Sequence, residues 1–178
     1  MKYRIDWIQE NTKDKIVLDV GAATGAIHSA IKKVAKEIVG IDIKEAPGII
    51  KADAETYVFE PKHYFDVIFL GNCLEHIHNP GKVFECSKLN LRPNGCLIIT
   101  TPNLRYPWVC LKDKLSKYHF HGYTPNLIKQ TLIDYGFKPE KPVFFKMEGN
   151  TSAGGKLFSS FLLFRPMFSL HFGIKAAL

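Results

Sequence analysis

Apolar and polar positions along the chain alternate between two periods, and the alternation sets out a series of strands and helices. The first clear strand is Ile16–Val20, a β-branched run that ends in Asp19-Val20 and breaks into a glycine-containing turn. A helical pattern follows at once. Ala26, Ile27, Ala30, Ile31, Val34 and Ala35 fall on one face, which predicts a helix over Ala26–Lys36. Further strands are expected at Ile38–Ile43, about Gly48–Lys51, Phe65–Leu70 and Cys96–Thr101. Helices are expected at Tyr3–Glu10, near Ala54–Phe59 and at Gly81–Leu91, the last opened by Asn79-Pro80 as cap and first turn. Pro93-Asn94-Gly95 reads as a turn that launches the next strand.

After Thr101 the pattern changes. Pro102 to Gly122 has no clear period. A helix starts at Thr124-Pro125, carries Leu127, Ile128, Thr131, Leu132 and Tyr135 on its apolar side, and stops at Gly136. Pro142–Met147 and Ser169–Ala176 read as strands, separated by a polar loop from Glu148 to Gly155 and an aromatic stretch from Lys156 to Phe168. Alternating strands and helices predict an α/β fold built on a mostly parallel sheet with right-handed crossovers.

Three carboxylates then fall where such a sheet presents its binding edge. Asp19 closes the first strand, Asp42 the second, and Asp53 follows the third. An acid at the end of the second strand can accept both hydroxyls of a ribose. An acid after the third can accept from an adenine amino group. Gly21 and Gly25 allow the chain to turn and to approach a ligand closely. Taken singly, each acid is as well explained as a turn or cap residue; their joint spacing points to an adenosine with a polar tail.

These residues resemble the class I S-adenosylmethionine-dependent methyltransferases, in particular the group that includes the ubiquinone- and menaquinone-type small-molecule enzymes. The matching stretches are Val17-Leu18-Asp19-Val20-Gly21-Ala22-Ala23-Thr24-Gly25, Val39-Gly40-Ile41-Asp42 and Asp53. Two more are Phe65-Asp66-Val67-Ile68-Phe69-Leu70-Gly71-Asn72-Cys73-Leu74-Glu75-His76 and the run from Leu91 through Pro93-Asn94-Gly95 to Asn103. The likeness covers roughly residues 10–147. It implies a Rossmann-like, seven-stranded, mostly parallel sheet with helices on both faces and an antiparallel last strand, in a single domain over 1–178. The cofactor implied is S-adenosyl-L-methionine. Asp19 and Gly21, with Ala23 and Gly25 of the same loop, would hold its methionine end. Asp42 and Ile43 would meet the ribose, Asp53 and Ala54 the adenine, and Gly71 and Asn72 would line the site after the fourth strand. Ala23 stands where the usual loop has its middle glycine, and its methyl group would crowd the ligand.

The implied reaction moves a methyl group to a small-molecule or lipid-like acceptor, at oxygen. An oxygen acceptor needs a base, and His76, just past the fourth strand, is the candidate. His119 and His121 are the next candidates. Glu75-His76 with a later histidine is also similar to a metal-dependent subset of the superfamily that uses two acids and two histidines. Here Asn72 takes the place of the first acid, so no metal is expected. Two other readings of the loop stay open: a catalytically silent module that binds the same cofactor, and an NAD(P)-binding protein. For the latter, Gly21-x-Ala23-x-x-Ala26 is only a degraded G-x-G-x-x-G.

Composition narrows the partners. The net charge is +7, and residues 1–90 carry 12 Lys/Arg against 13 Asp/Glu, so the whole excess lies in the second half. Substrate-cap insertions are expected near 103–123 and 148–168. There Tyr106, Trp108, Phe158, Phe161, Phe164 and Phe168 mix with Arg105, Lys112, Lys114, Lys117 and Arg165. Aromatics among cations suit an anionic, amphipathic acceptor or a peripheral membrane contact. Nucleic acid is not expected, since the sequence has no Asn/Asp-Pro-Pro-Tyr/Phe motif. Cys73, Cys86, Cys96 and Cys110 form no C-x-x-C pair, Met1 to Asn11 is polar and charged, and no apolar run reaches the roughly 20 residues of a membrane span. A cytoplasmic protein is the expectation.

Overall fold

Side chains alternate across the central strands and sort the core onto two faces of one sheet. The computed structural model describes residues 3–23, 25–105, 119–145 and 171–178. Within them the order is α1 (Arg4–Thr12), β1 (Ile16–Val20), α2 (Ala26–Lys32), β2 (Glu37–Asp42), β3 (Ile50–Lys51) and β4 (Phe65–Gly71). A 3-10 turn at Leu74–His76 follows, then α3 (Pro80–Asn90), β5 (Leu91–Pro102), α4 (Pro125–Asp134), β6 (Lys138–Pro139), β7 (Val143–Phe144) and β8 (His171–Ala177). On one face Val17, Val67, Phe69 and Ile98 pack with Trp7 and Ile8 of α1 and Ile31 of α2. On the other, Leu18, Val20, Ile68, Leu70, Leu97 and Ile99 pack with Val83 and Phe84 of α3 and Ile128 and Leu132 of α4.

The strand order is β3-β2-β1-β4-β5-β8-β6, with β7 also on β8. β1 to β5 are parallel, and β8 runs antiparallel to β5. The expected seven strands are therefore eight among the described residues, although only seven positions are filled. β6 and β7 lie along the same side of β8, where Lys138 pairs Ala177 and Val143 pairs Gly173. The register slips by one residue between them, which is a bulge that splits one edge strand in two.

Several boundaries differ from the pattern, each for a local reason. α2 ends at Lys32 rather than Lys36, because Asp14 N–H binds the Val34 carbonyl and Lys36 N–H binds the Lys15 carbonyl. Those bonds draw the chain into β2. The helix expected over Ala54–Phe59 is a single turn. Asp53 closes it, and Asn90 then takes the Phe59 N–H (2.7 Å) and donates to the Tyr57 carbonyl (2.9 Å), so the backbone groups a helix would use are already occupied. The Pro93-Asn94-Gly95 turn lies inside β5. Phe65 pairs Leu91 and Val67 pairs Cys96, so the residues between loop out with Asn94 at φ 65°. The helix caps form as read: Asn79 accepts from Lys82 N–H, and Thr124 from Leu127 N–H.

Phe84 measures what holds α3 to the sheet. It is fully buried, with the Tyr135 and Phe137 rings 5.2 and 6.2 Å away. Phe84→Ala is expected to cost about 3–5 kcal/mol in urea unfolding. Leu127→Ala, on the half-exposed side of α4, should change stability by less than about 1 kcal/mol.

Candidate active site

The order of strands reverses between β1 and β4, and a crevice at the carboxyl ends of such a pair is where open α/β sheets bind ligands. The turn after β1 sits there against the turn after β4. Gly21 has φ 73°, and a Cβ on it would lie 2.7 Å from the Cβ of Cys73. Only glycine suits that position, both for its angle and for its space. The Gly21 and Ala22 N–H groups bind the Ile41 carbonyl at 2.9 and 3.1 Å, which fixes the turn over β2. A positive φ recurs at Ala23 (φ 37°), where the sequence lacks the usual glycine. Gly25, by contrast, has an ordinary φ of −73° and caps α2.

Asp42 ends β2 half-buried. Its Oδ2 accepts from Ala23 N–H (3.0 Å) and its Oδ1 from Lys44 N–H (2.8 Å). The carboxylate is thus aimed from two sides, and each oxygen keeps a lone pair for a further donor. Ile43 beside it is 70% exposed. Asp53 is two residues past β3, where its Oδ1 accepts from Glu55 N–H, and Ala54 is half-buried next to it. Asp19 lies inside β1 and is buried. His28 of α2 donates from Nδ1 to its Oδ2 at 2.8 Å. Burial pushes the Asp19 carboxyl up, against the pull of His28, and the charge of Asp42 adds to the rise. His28 was not visible in the sequence, because the apolar face of α2 gives its polar positions no role.

At the end of β4, a Cβ on Gly71 would run into the Phe69 ring. Asn72 has φ 51°, and its backbone N–H binds the Thr100 carbonyl. With its amide oriented to satisfy both ends, the nitrogen donates to that carbonyl (3.2 Å) while the oxygen accepts from Arg4 (3.2 Å) and His171 Nε2 (3.3 Å). Burial, with the charge of Arg4, lowers His171 to about 4, so the imidazole is neutral. Arg4 and His171 come from opposite ends of the sequence, and no local pattern could have joined them to Asn72.

The 3-10 turn carries the second cluster. Glu75 is buried and accepts from Thr101 Oγ1 at 3.2 Å. Burial raises its carboxyl, and the nearby His76 and His119 oppose the rise. His76 is exposed, and the His119 ring stands edge-on to it at 4.6 Å. The N–H groups of Phe120 and His121 bind the Glu75 carbonyl, which ties the two segments together. His121 Nε2 turns away toward the His78 carbonyl (3.2 Å), and Phe120 stacks on His78. Of the three candidate histidines, His76 and His119 therefore share one site. Ligand atoms of Glu75, His76 and His119 lie within 4.8 Å of one another, a set with one oxygen and two nitrogen donors.

Of the expected cap residues, Tyr106, Trp108, Lys112, Lys114, Lys117, Phe158, Phe161, Phe164, Arg165 and Phe168 lie outside the described residues, as does Cys110. Arg105 is exposed at the end of the described stretch. Cys73, Cys86 and Cys96 are free thiols. No helix among the described residues is long and apolar enough to cross a membrane.

Comparison with known proteins identifies the family. A family model described as a methyltransferase domain matches residues 4–141. A ubiquinone biosynthesis O-methyltransferase of Pseudomonas fluorescens is 29% identical over 117 residues, covering 56% of this chain and 50% of that protein. The chain thus spans about half the length of the curated relatives it matches. Among solved structures, a SAM-dependent methyltransferase from Archaeoglobus fulgidus superposes with a TM-score of 0.76 at 20% identity, over 97% of this chain and 90% of the other. A 1,6-didemethyltoxoflavin-N1-methyltransferase from Burkholderia thailandensis, solved with S-adenosylhomocysteine, gives 0.67 at 15% identity, over 97% and 77%. At these identities the structural likeness concerns the fold.

Proposed function

The chain belongs to the methyltransferase-domain family, and from that premise we propose that it moves the methyl group of S-adenosyl-L-methionine to an oxygen of a small, lipid-like or anionic acceptor. The observation that carries the cofactor half is the turn after β1, latched to Asp42 at the switch point of the sheet. Its residues fit the group. Asp42 retains lone pairs for two ribose hydroxyls, Asp53 and Ala54 lie at the next strand end for the adenine, and Asp19 and Gly21 lie at the methionine end. The relatives named for O-methylation favour oxygen as the acceptor atom.

The cofactor supplies an electrophilic methyl carbon on a sulfonium. The protein's part is alignment, water exclusion and proton handling. His76 would take the proton that the acceptor hydroxyl loses when the methyl carbon exchanges its bond to sulfur for one to oxygen, the neutral thioether being the leaving group. His119 beside it and the buried Glu75 behind the turn fix where that imidazole stands. The basic second half favours acceptors that carry negative charge, and of the cations expected in its caps Arg105 is described.

A second reading has one observation in its favour, the convergence of Glu75, His76 and His119. A borderline divalent cation with mixed N/O ligands suits that set better than magnesium does. Glu75, His76 and His119 would hold that cation, and it would supply Lewis acidity toward the acceptor hydroxyl in place of a protein base. One assay separates the two: labelled methyl transfer to a panel of anionic and lipid-like hydroxyl compounds, with and without a chelator. The base reading expects product in both arms. Loss of product with chelator, restored by added zinc or manganese, would favour the cation. No product from any acceptor would favour a silent binding module.

A further inference from the structure

Asp19 is a buried carboxylate facing three titratable groups: His28 from α2, Asp42 from the end of β2 and Cys73 from the turn after β4. Two of the three carry negative charge or none, and Cys73 is pushed up by burial and stays a thiol. His28 is the only group of the three that can donate to it as a cation or as a neutral N–H. Its imidazole is largely buried, and Nδ1 takes Asp19 Oδ2 at 2.8 Å, leaving Oδ1 outside that bond.

The niche for the ring is built by the neighbouring strand. A Cβ on Gly40, the β2 partner of Asp19, would lie 2.9 Å from His28 Cε1 and 2.6 Å from Ile49 Cδ1. Gly40 therefore leaves room for an imidazole at this place, and the ring is seated by shape as well as by its hydrogen bond.

We propose that His28 is a positioning residue for the methionine end of the cofactor: its Nδ1 takes one oxygen of Asp19 and turns the carboxylate so that Oδ1 receives the cofactor's α-ammonium. This rests on the cofactor reading above. Burial and Asp42 both press Asp19 toward its neutral form, and a neutral carboxyl would attract an ammonium far less. His28 opposes both pressures while occupying only one oxygen. The effect is confined to the tail of the ligand, since ribose and adenine meet other residues.

The test compares two ligands in calorimetry. S-adenosylhomocysteine carries the amino-acid tail; 5′-methylthioadenosine keeps ribose and adenine and lacks it. His28→Ala is expected to weaken S-adenosylhomocysteine about tenfold or more, the scale of a hydrogen bond to a charged group, with methylthioadenosine unchanged. His28→Asn, whose amide keeps a donor near the Nδ1 position, should recover most of the loss. If the alanine variant does not fold, His28→Leu, which fills the space without a donor, carries the same comparison. Equal losses on both ligands, or no loss on either, would overturn the proposal. A wild-type protein that binds neither ligand overturns the cofactor reading itself, and one that binds both with equal affinity removes the role of Asp19.

Discussion

His76→Ala should lower turnover by about 10²–10⁴-fold, the usual contribution of a positioned base, while cofactor affinity stays within about twofold. The split follows from where the residue stands. The 3-10 turn is held by backbone bonds, His76 N–H to the Cys73 carbonyl and Ile77 N–H to the Leu74 carbonyl, and by buried Leu74 and Glu75. None of these depends on the imidazole, which is exposed. The residues assigned to the methionine end, ribose and adenine are on other turns, after β1, β2 and β3, and Gly71 and Asn72 precede the 3-10 turn. Steady-state rates and calorimetric affinity on the same preparation check both halves. A variant that loses affinity in step with turnover would make His76 a binding or structural residue. His119→Ala should have a smaller effect, since that ring stands edge-on to His76 and takes no proton from the acceptor in this reading.

Asp42→Ala should weaken S-adenosylhomocysteine by about a hundredfold or more, because two hydrogen bonds to a charged acceptor are each worth about 1.5–3 kcal/mol. Part of the loss is indirect. The carboxylate also holds Ala23 N–H, and Ala23 has an uncommon positive φ that needs support. Removing Asp42 frees the turn as well as the ribose contacts. Methylthioadenosine, which keeps the ribose, should be weakened too, in contrast to the tail-selective loss expected at His28. The melting temperature should hardly move, since Asp42 is half-buried at the rim and the core below it is intact. A loss of affinity below about threefold would show that the ribose is held elsewhere.

Much of this architecture is legible in the sequence because the signals are local. β1 has the bounds that its apolar run implies, and the Asn79 and Thr124 caps form where their side chains lie. The misjudged elements all yield to distant partners. α2 is cut short by Asp14 and Lys15, which precede β1, and the turn at Asp53 fails to extend because Asn90 of α3 takes its backbone groups. The edge strand splits because β8 accepts it in two registers.

The site divides in the same way. Gly21, Asp42 and Asp53 stand at strand ends, and a strand end is a local feature. His28 against Asp19, Arg4 and His171 on Asn72, and Thr101 on Glu75 are pairs that only the folded sheet brings together. Ala23 shows a subtler limit. Its methyl group reads as crowding in sequence, and the structure adds that the residue carries a left-handed backbone angle.

The most direct measurement is a calorimetric titration of the purified chain with S-adenosylmethionine and S-adenosylhomocysteine, with NAD(H) present as competitor. Saturable one-to-one binding that NAD(H) leaves unchanged is the expected result. No saturable binding by a folded protein, or displacement by NAD(H), would contradict the assignment of this cofactor to the turn after β1.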